Sequence, residues 1–367
     1  MDTAEFDAWF RLLATPGVNR GLARRLVATC GTPEAVLATP QGTLRQLAGE
    51  AVAQALHSPA DETEARLAAA RAWLAGGADR HALAPGDPHY PTTLLQTADP
   101  PLLLYLQGEP SVLQRPALAI VGSRSATPQG TANARAFARD LAARGWCIVS
   151  GLALGIDAAA HEGALDATAG AGTVAVVGTG LDRVFPAAHR ALAHRIGAAG
   201  ALLSEYAPGT PPLRQHFPER NRIIAGLAQG TLVVEAALAS GSLITARLAS
   251  EAGREVFAIP GSIHSPQARG CHALIRQGAK LVETAEDIVE ELRGQRPLPL
   301  PGAGDDAATA DEDPLLAALG HDPVTLDALL ARTGDSAAVL SARLLELELE
   351  GRVARLPGGL YQRLARG

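Results

Sequence analysis

Short apolar runs recur through the middle of the chain and predict a buried sheet. None of them shows the strict alternation expected of a strand with one solvated face. The runs that we interpret as strands are 102–106, 118–121, 147–149, 174–177, 201–203, 231–234, 256–259 and 280–282. Because helical segments separate most of them, the pattern is typical of a parallel sheet covered by helices on both faces. We therefore predict an α/β fold with a Rossmann-like, doubly wound sheet over residues 85–293, which binds its ligand beyond the carboxyl ends of the strands.

Helical periodicity dominates residues 1–80. Apolar side chains recur at helical spacing near the start of the chain, at Phe6, Trp9, Phe10 and Leu13. A Pro-Gly turn at 16–17 then precedes an amphipathic helix, an arrangement similar to a helix-hairpin-helix or SAM-like domain, whose hairpin N–H groups meet a nucleic-acid backbone. Asn19 occupies the place of the usual second glycine. A small helical packing domain therefore stays open as the alternative.

The last part of the chain predicts a linker and a winged-helix domain. Residues 294–313 are rich in Pro, Gly, Ala and Asp, which is typical of a flexible linker. Residues 314–367 contain three helical segments followed by a hairpin pattern, the order of a winged helix. The third helix is acidic, with Glu346, Glu348 and Glu350, whereas a helix that reads the major groove needs Arg, Lys, Asn or Gln. We expect this domain to contact protein or to have no partner, and its ability to bind DNA stays open.

Composition narrows the class of protein. The 367 residues are long enough for two or three domains and carry a formal net charge of −6, so nucleic-acid binding would be confined to a local groove. Three widely spaced cysteines suit a reducing compartment, and the first residues do not form a secretory signal. No apolar run is long enough to span a membrane, and we expect a cytoplasmic protein.

The stretch 217–246 concentrates groups that bind anions. A basic cluster opens one helix, and a Ser/Gly loop opens the next, where the helix dipole and backbone N–H groups favour phosphate. A Gly-Ser-Arg turn after the strand 118–121 is expected at the same edge of the sheet, and arginine forks grip phosphate well. Of the aromatic residues Phe185, Tyr206 and Phe217 that flank this edge, the last lies beside the basic cluster and suits base stacking. The predicted binding residues are Gly122, Ser123, Arg124, Phe217, Arg220, Asn221, Arg222, Gly241 and Ser242.

Acidic residues at the strand ends leave a second function open. Asp182 and Glu235 could hold ribose hydroxyls, or they could orient an arginine. If they act as an acid or base, the protein would be a nucleotide-processing enzyme with a phosphoribosyl substrate. Asp157 and His161, four residues apart, could form an acid–base pair, although an internal hydrogen bond that fixes the loop is the alternative. Walker A, GxSxG and HExxH motifs and a third metal ligand are missing from the sequence. We therefore predict no catalytic residue, cofactor or metal.

Six motifs, taken in order, resemble one family. They are VGSR at 121–124, SGLALGID at 150–157 with His161, GTGLD at 178–182, the stretch 217–246, FAIPG at 257–261 and GCHALI at 270–275. Together they resemble the DNA-processing protein A family, called DprA or Smf, over roughly residues 85–292. The segment FPAAH at 185–189 departs from the family, whose members often have Tyr-Pro and end this motif in Asn.

The resemblance implies a function that the motifs alone do not state. Members of the family bind single-stranded DNA in natural transformation, protect incoming DNA and load the RecA recombinase onto it. They act in recombination in competent cells as homodimers joined through the Rossmann-like domain, without enzymatic turnover. On this chain the phosphate-binding role would fall on the turn 122–124 and the cluster 220–222, with the helix start at Gly241 and Ser242 as a third part.

Overall fold

The structure, a computed structural model, describes residues 1–168, 170–294, 314–319, 324–333, 335, 337–350, 352–356 and 360–363. The chain divides into two units, Met1–Arg296 and Pro297–Gly367, which are taken separately below. Of the predicted linker, residues 295–313 lie outside the described residues. The predicted boundaries at about residue 80 and at residue 313 stay predictions.

The apolar runs form one mixed sheet in the first unit. Its strands are β1 (Arg80–Leu83), β2 (Leu104–Gly108), β3 (Ala117–Val121), β4 (Cys147–Ser150), β5 (Thr173–Val176), β6 (Ala201–Ser204), β7 (Gly230–Val233), β8 (Glu255–Ala258) and β9 (Lys280–Leu281). They lie in the order β1-β2-β6-β5-β4-β3-β7-β8-β9. From β6 to β9 the neighbours are parallel, as predicted for a doubly wound sheet.

One edge of the sheet is antiparallel and differs from the prediction. β2 runs antiparallel to both β6 and β1, and β1 was not predicted as a strand. The half-buried β1 lacks the apolar run that marks the central strands. An apolar run indicates that a strand is buried but not which way it runs, so the direction of β2 could not be read from its sequence.

Helices cover both faces of the sheet. They are α7 (Thr92–Leu95), α8 (Pro128–Ala143), α9 (Ile156–Leu165), α10 (Arg190–Ala199), α11 (His216–Leu227), α12 (Ser242–Glu251), α13 (Arg269–Arg276) and α14 (Ala285–Gly294). Apolar side chains of α8, α9 and α14 pack on one face around Ile120 and Leu232, whereas those of α11, α12 and α13 pack on the other around Val121 and Val233. Adjacent strand residues thus point to opposite faces, and helices bury both faces. This arrangement confirms the Rossmann-like core.

The amino-terminal helices share a hydrophobic core with the sheet. They are α1 (Thr3–Ala14), α2 (Arg20–Cys30), α3 (Pro33–Ala38), α4 (Gln41–Ala48), α5 (Glu50–His57) and α6 (Asp61–Ala75). The ring of Tyr105 in β2 meets Phe6 of α1 at 6.3 Å and Trp73 of α6 at 6.2 Å, both edge-on. Such pairs favour a fixed contact between helices and sheet. The helical segment is therefore packed into the first unit.

An ion-pair cluster holds α2 against the sheet. Asn19 caps the helix by accepting a hydrogen bond from Leu22 N at 2.9 Å. Arg20 Nε and Arg24 Nη1 then lie 2.7 and 2.5 Å from the carboxylate of Asp99. Burial acts to raise the pKa of Asp99, but these arginines together with Arg222 lower it below its ordinary value. Two of the three arginines of the predicted hairpin helix, Arg20 and Arg24, are thus paired within the protein, which favours its packing role over contact with a nucleic-acid backbone.

The second unit has the predicted winged-helix elements. They are α15 (Pro314–Leu319), β10 (Val324–Thr325), α16 (Leu326–Thr333), α17 (Ala337–Leu349), β11 (Val353–Leu356) and β12 (Leu360–Arg363), with strand order β10-β12-β11. Their common core includes Leu316, Leu329, Leu340 and Leu344. In the ranges that the structure covers, no helix is both long and apolar enough to cross a bilayer.

Candidate nucleic-acid interface

A pocket of about 840 Å³ opens at the carboxyl edge of the sheet, where β3 and β7 end and α11 and α12 begin. We call it the arginine pocket. It brings together eight of the predicted residues, namely Gly122, Ser123, Arg124, Phe217, Arg220, Asn221, Gly241 and Ser242. These come from segments about a hundred residues apart, because parallel strands end at the same edge of a sheet.

The turn after β3 forms one wall of the pocket. A Cβ atom on Gly122 would lie 2.6 Å from Ile156 Cγ1 and 2.8 Å from Glu235 O, so only glycine fits there. Ser123 N donates to Glu235 O at 2.7 Å, which ties the turn to the end of β7. The exposed Arg124 extends from this turn, with its guanidinium 5.8 Å from the centre of the Phe217 ring. No carboxylate of the described residues pairs with Arg124, so its charge is available to a ligand.

Arg220 is a buried brace at the base of the pocket. Its side chain is only 4% exposed, and Nη1 donates to Gly151 O at 2.7 Å and to Val176 O. Nε donates to Asn221 Oδ1 at 3.1 Å. Burial lowers the pKa of Arg220 to about 10, against the opposing effect of Asp157, so the guanidinium stays charged at neutral pH. Arg220 therefore joins the ends of β4 and β5 to α11 and has few donors left for a ligand.

Arg222 does not reach the pocket, which corrects the expectation that the whole cluster 220–222 faces one ligand. Its Nη2 donates to both carboxylate oxygens of Glu205 at 2.5 and 2.6 Å, and Nε lies 3.2 Å from Asp99 Oδ2. Residues two apart on an α-helix are separated by about 200° around its axis, so Arg220 and Arg222 point to opposite sides. Arg222 belongs to the ion-pair cluster that holds α2.

The start of α12 forms the opposite wall. Ser240 Oγ and Ser242 Oγ lie 2.7 Å apart, and Asn221 Nδ2 donates to Gly241 O at 3.4 Å. The first amides of the helix are partly used locally, since Leu243 N donates to Ser240 O at 3.2 Å and Ile244 N to Gly241 O. The positive end of the helix dipole still faces the pocket, but fewer free N–H groups are present than the sequence suggested.

Two further side chains at the mouth of the pocket were absent from the predicted set. Arg214 is exposed on the loop before α11 and has no ion-pair partner in the described part of the chain. Phe185 is 45% exposed, and its ring packs 5.4 Å from that of Phe217 at an angle of 39°. Phe185 was recognised as an aromatic residue near this edge, whereas Arg214 carried no pattern beyond its position three residues before Phe217.

The acidic residues considered for catalysis hold the backbone. Both carboxylate oxygens of Glu235 accept hydrogen bonds from Thr127, at 2.9 Å from N and 2.5 Å from Oγ1, at the start of α8. Asp182 accepts from Gly209 N at 2.7 Å and pairs with its neighbour Arg183. These carboxylates are occupied by bonds that fix the local fold.

Asp157 and His161 lie within the loop and helix that follow β4. Asp157 accepts from Gly151 N at 3.1 Å and Ala153 N at 3.3 Å, and burial raises its pKa above the ordinary value. His161 Nδ1 lies 2.7 Å from Thr173 Oγ1, which itself donates to Ile148 O, so the histidine is the donor. Burial lowers the pKa of His161 to about 3, which leaves the ring neutral. In the described ranges no group of three or more His, Cys, Asp or Glu side chains could hold a metal ion.

Comparison with known proteins agrees with this arrangement. Residues 81–293 match a family model described as DNA recombination-mediator protein A, and residues 299–359 match the DprA winged helix domain. Protein Smf of Escherichia coli (strain K12) is 46% identical over 297 residues, which cover 78% of this chain and 78% of Smf.

Two solved structures share the fold. The X-ray structure of DNA processing protein A (DprA) from Streptococcus pneumoniae has a TM-score of 0.69 and 37% identity, and the match covers 79% of this chain and 99% of that one. A structure of DNA processing protein A from Helicobacter pylori, described for its single-stranded DNA binding mode, has a TM-score of 0.53 and 30% identity over 59% of this chain and 96% of that one. The family model matches more than half of this chain, and the motifs of the arginine pocket are in place. This chain therefore belongs to the DNA recombination-mediator protein A (DprA/Smf) family.

Proposed function

We propose that the protein binds single-stranded DNA in the arginine pocket as part of DNA processing. The observation that carries the proposal is that unpartnered arginines and two aromatic rings line the same pocket. Arg124 and Arg214 are exposed cations that line the pocket, and the exposed ring of Phe185 packs at a tilt on the half-buried ring of Phe217 in the same pocket. Guanidinium groups bind phosphate oxygens, and aromatic faces accept bases of any sequence.

Single strands suit this pocket better than duplex. In a duplex the base faces are covered by their neighbours, so they cannot stack on Phe185 or Phe217 without unstacking. The net charge of −6 leaves little general attraction for DNA, which confines binding to this local site. The predicted set therefore stands as a proposal with four changes: Arg214 and Phe185 are added, Arg220 supports the pocket from below, and Arg222 is assigned to the ion-pair cluster.

Binding without turnover is part of the proposal. Glu235, Asp182 and Asp157 are occupied by hydrogen bonds within the protein, which leaves the pocket without an evident acid or base. A binding site for a polymer needs only groups that contact phosphates and bases, and the arginines and aromatic rings of the pocket are of these kinds. Nothing in the pocket favours the alternative of an enzyme acting on a phosphoribosyl substrate.

Titration of a fluorescent oligothymidylate by anisotropy tests the proposal. We expect salt-dependent binding with about 0.7 counterions released per phosphate contact, and much weaker binding of a matched duplex. Phe217→Ala is expected to weaken single-strand binding by about 1–3 kcal/mol, roughly 5- to 150-fold, while Phe217→Tyr retains most of the affinity because the ring remains. The bound oligonucleotide should be recovered unchanged by chromatography.

Equal affinity for duplex and single strand would contradict the proposal, and so would a Phe217→Ala variant that binds like the wild type. Cleavage or modification of the oligonucleotide would favour the enzyme instead. Circular dichroism of each variant separates loss of binding from loss of fold.

We further propose that the protein acts as a homodimer in natural transformation, protecting incoming strands and delivering them to RecA. Membership of a recombination-mediator family supports delivery to a recombinase. Exposed apolar side chains support self-association: Leu238 and Ile263 are 62% and 74% exposed. Their loops are joined by hydrogen bonds between Ala236 and the segment 267–270, so both lie at the same sheet edge. Exposed apolar groups of this kind mark interaction surfaces.

Sedimentation and a recombinase assay test this second proposal together. The wild type is expected to sediment as a dimer and to speed the DNA-dependent ATPase of RecA on a protein-coated single strand. Leu238→Glu with Ile263→Glu should sediment as a monomer, because like charges would face each other across the interface. A monomeric wild type would refute the dimer. If the protein leaves the ATPase activity of RecA on the coated strand unchanged, delivery to RecA is refuted.

A further inference from the structure

A second groove, of about 700 Å³, lies beside the arginine pocket and is bounded by Trp73, Arg80, Arg183, Val184, Arg190 and His194. We propose that a single strand held in the arginine pocket continues over Phe185 into this groove, so that the binding site is longer than the pocket. The inference rests on the proposed function and deepens it by assigning a second tract for the same strand.

The two sites are continuous along one short loop. Val184 lines the second groove, and the next residue, Phe185, lines the arginine pocket. Adjacent Cα atoms are about 3.8 Å apart, so only the width of this loop separates the two sites. The Phe185 ring packs on Phe217 at the arginine-pocket end of this loop. A strand whose base stacks on Phe185 would need to cross only this loop to enter the second groove.

Basic side chains line the second groove. Arg190 and His194 are exposed on the first turns of α10, and neither has an ion-pair or hydrogen-bond partner among the residues described. Arg183 pairs, within the described ranges, with its chain neighbour Asp182 alone, at 2.8 Å. Arg80 Nη1 donates to Trp73 O at 2.8 Å, and its guanidinium lies 5.2 Å from the centre of the Trp73 ring.

The acidic groups of the groove are already engaged. Asp182 accepts from Gly209 N as well as from Arg183, and these contacts lower its pKa against the opposing effect of burial. Asp79 accepts from Gln107 Nε2 at 3.2 Å. Three arginines thus face two carboxylates that already accept hydrogen bonds within the protein, which leaves the arginines as the charged groups available to a ligand. An extended polyanion fits this arrangement because its successive phosphates can meet both sites.

Two oligothymidylates of different length test the inference with the full-length protein. One of about 4 nucleotides fills only the arginine pocket, and one of about 16 can span both sites. Arg183→Ala with Arg190→Ala should leave the affinity for the short oligonucleotide within twofold of wild type. The same variant should bind the long one about tenfold more weakly, and its salt slope should fall by about 1.4, which is 0.7 for each of two lost phosphate contacts.

A control variant, Arg45→Ala with Arg135→Ala, removes the same charge from exposed arginines that pair with carboxylates on other surfaces. It should bind both oligonucleotides like the wild type. Equal loss in the control and test variants would mean that general charge, and not the groove, caused the effect.

If the wild type binds the long strand no better than the short one, or if the test variant keeps the full length dependence, the second groove is refuted while the arginine pocket stands. If the wild type binds neither, the proposed function itself fails.

Discussion

Replacing Arg124 and Arg214 together with alanine is expected to weaken single-strand binding by at least about 100-fold. A hydrogen bond to a charged group contributes about 1.5–3 kcal/mol, and the variant loses two such contacts. Both side chains are exposed cations at the pocket with no carboxylate partner in the described chain. Their charge is therefore not neutralised by an ion pair within the protein. Anisotropy titrations at several salt concentrations measure the effect. The salt slope should also fall by about 1.4.

The loss should be the same for every sequence, because phosphate contacts carry no base information. Arg45→Ala with Arg135→Ala again controls for net charge and should bind like the wild type. Lysine at 124 and 214 should restore part of the affinity, since lysine restores the positive charge but lacks the paired N–H donors of the guanidinium group. Wild-type affinity in the double alanine variant would show that other groups hold the phosphates.

Arg220→Met is expected to destabilise the protein by about 3–5 kcal/mol, the usual cost of removing one partner from a buried charged cluster. The change removes the donor to Gly151 O and Val176 O, and both carbonyl groups would be left buried without it. The nearby buried Asp157 would also lose the compensating charge of Arg220. Urea denaturation followed by circular dichroism measures the free energy of unfolding.

Arg124→Met is the matched control for stability. The same substitution on the exposed Arg124 should change the free energy of unfolding by no more than about 0.5 kcal/mol while weakening DNA binding. The two variants thus separate a group that supports the pocket from one that contacts the ligand. An Arg220→Met protein with wild-type stability but impaired binding would reassign Arg220 to the DNA.

Much of the fold follows from local features that the sequence displays. Apolar runs predicted the central strands because a strand buried on both faces needs no polar side chain. The turn at Gly122 and the helix start at Gly241 were recognised because both follow buried strands, and the carboxyl ends of parallel strands meet at one edge. The helices and hairpin of the second unit were read from periodicity and turn residues in the same way.

The roles of individual arginines are different, because they depend on direction and partners. Arg220 and Arg222 look alike in sequence, yet the turn of the helix buries the first under the pocket and aims the second at Glu205 and Asp99. Arg214 lies outside any motif and joins the site only because its loop folds over the pocket.

The sequence by itself thus determined the class of sheet, the family and the edge at which a ligand would bind. Only the tertiary structure decided which arginines are already paired within the protein, that β2 runs antiparallel, and that the neighbouring residues Val184 and Phe185 line two different cavities. The physical reason is that strand burial and turn geometry are set by neighbouring residues, whereas the pairing of a charge depends on groups brought close from distant parts of the chain.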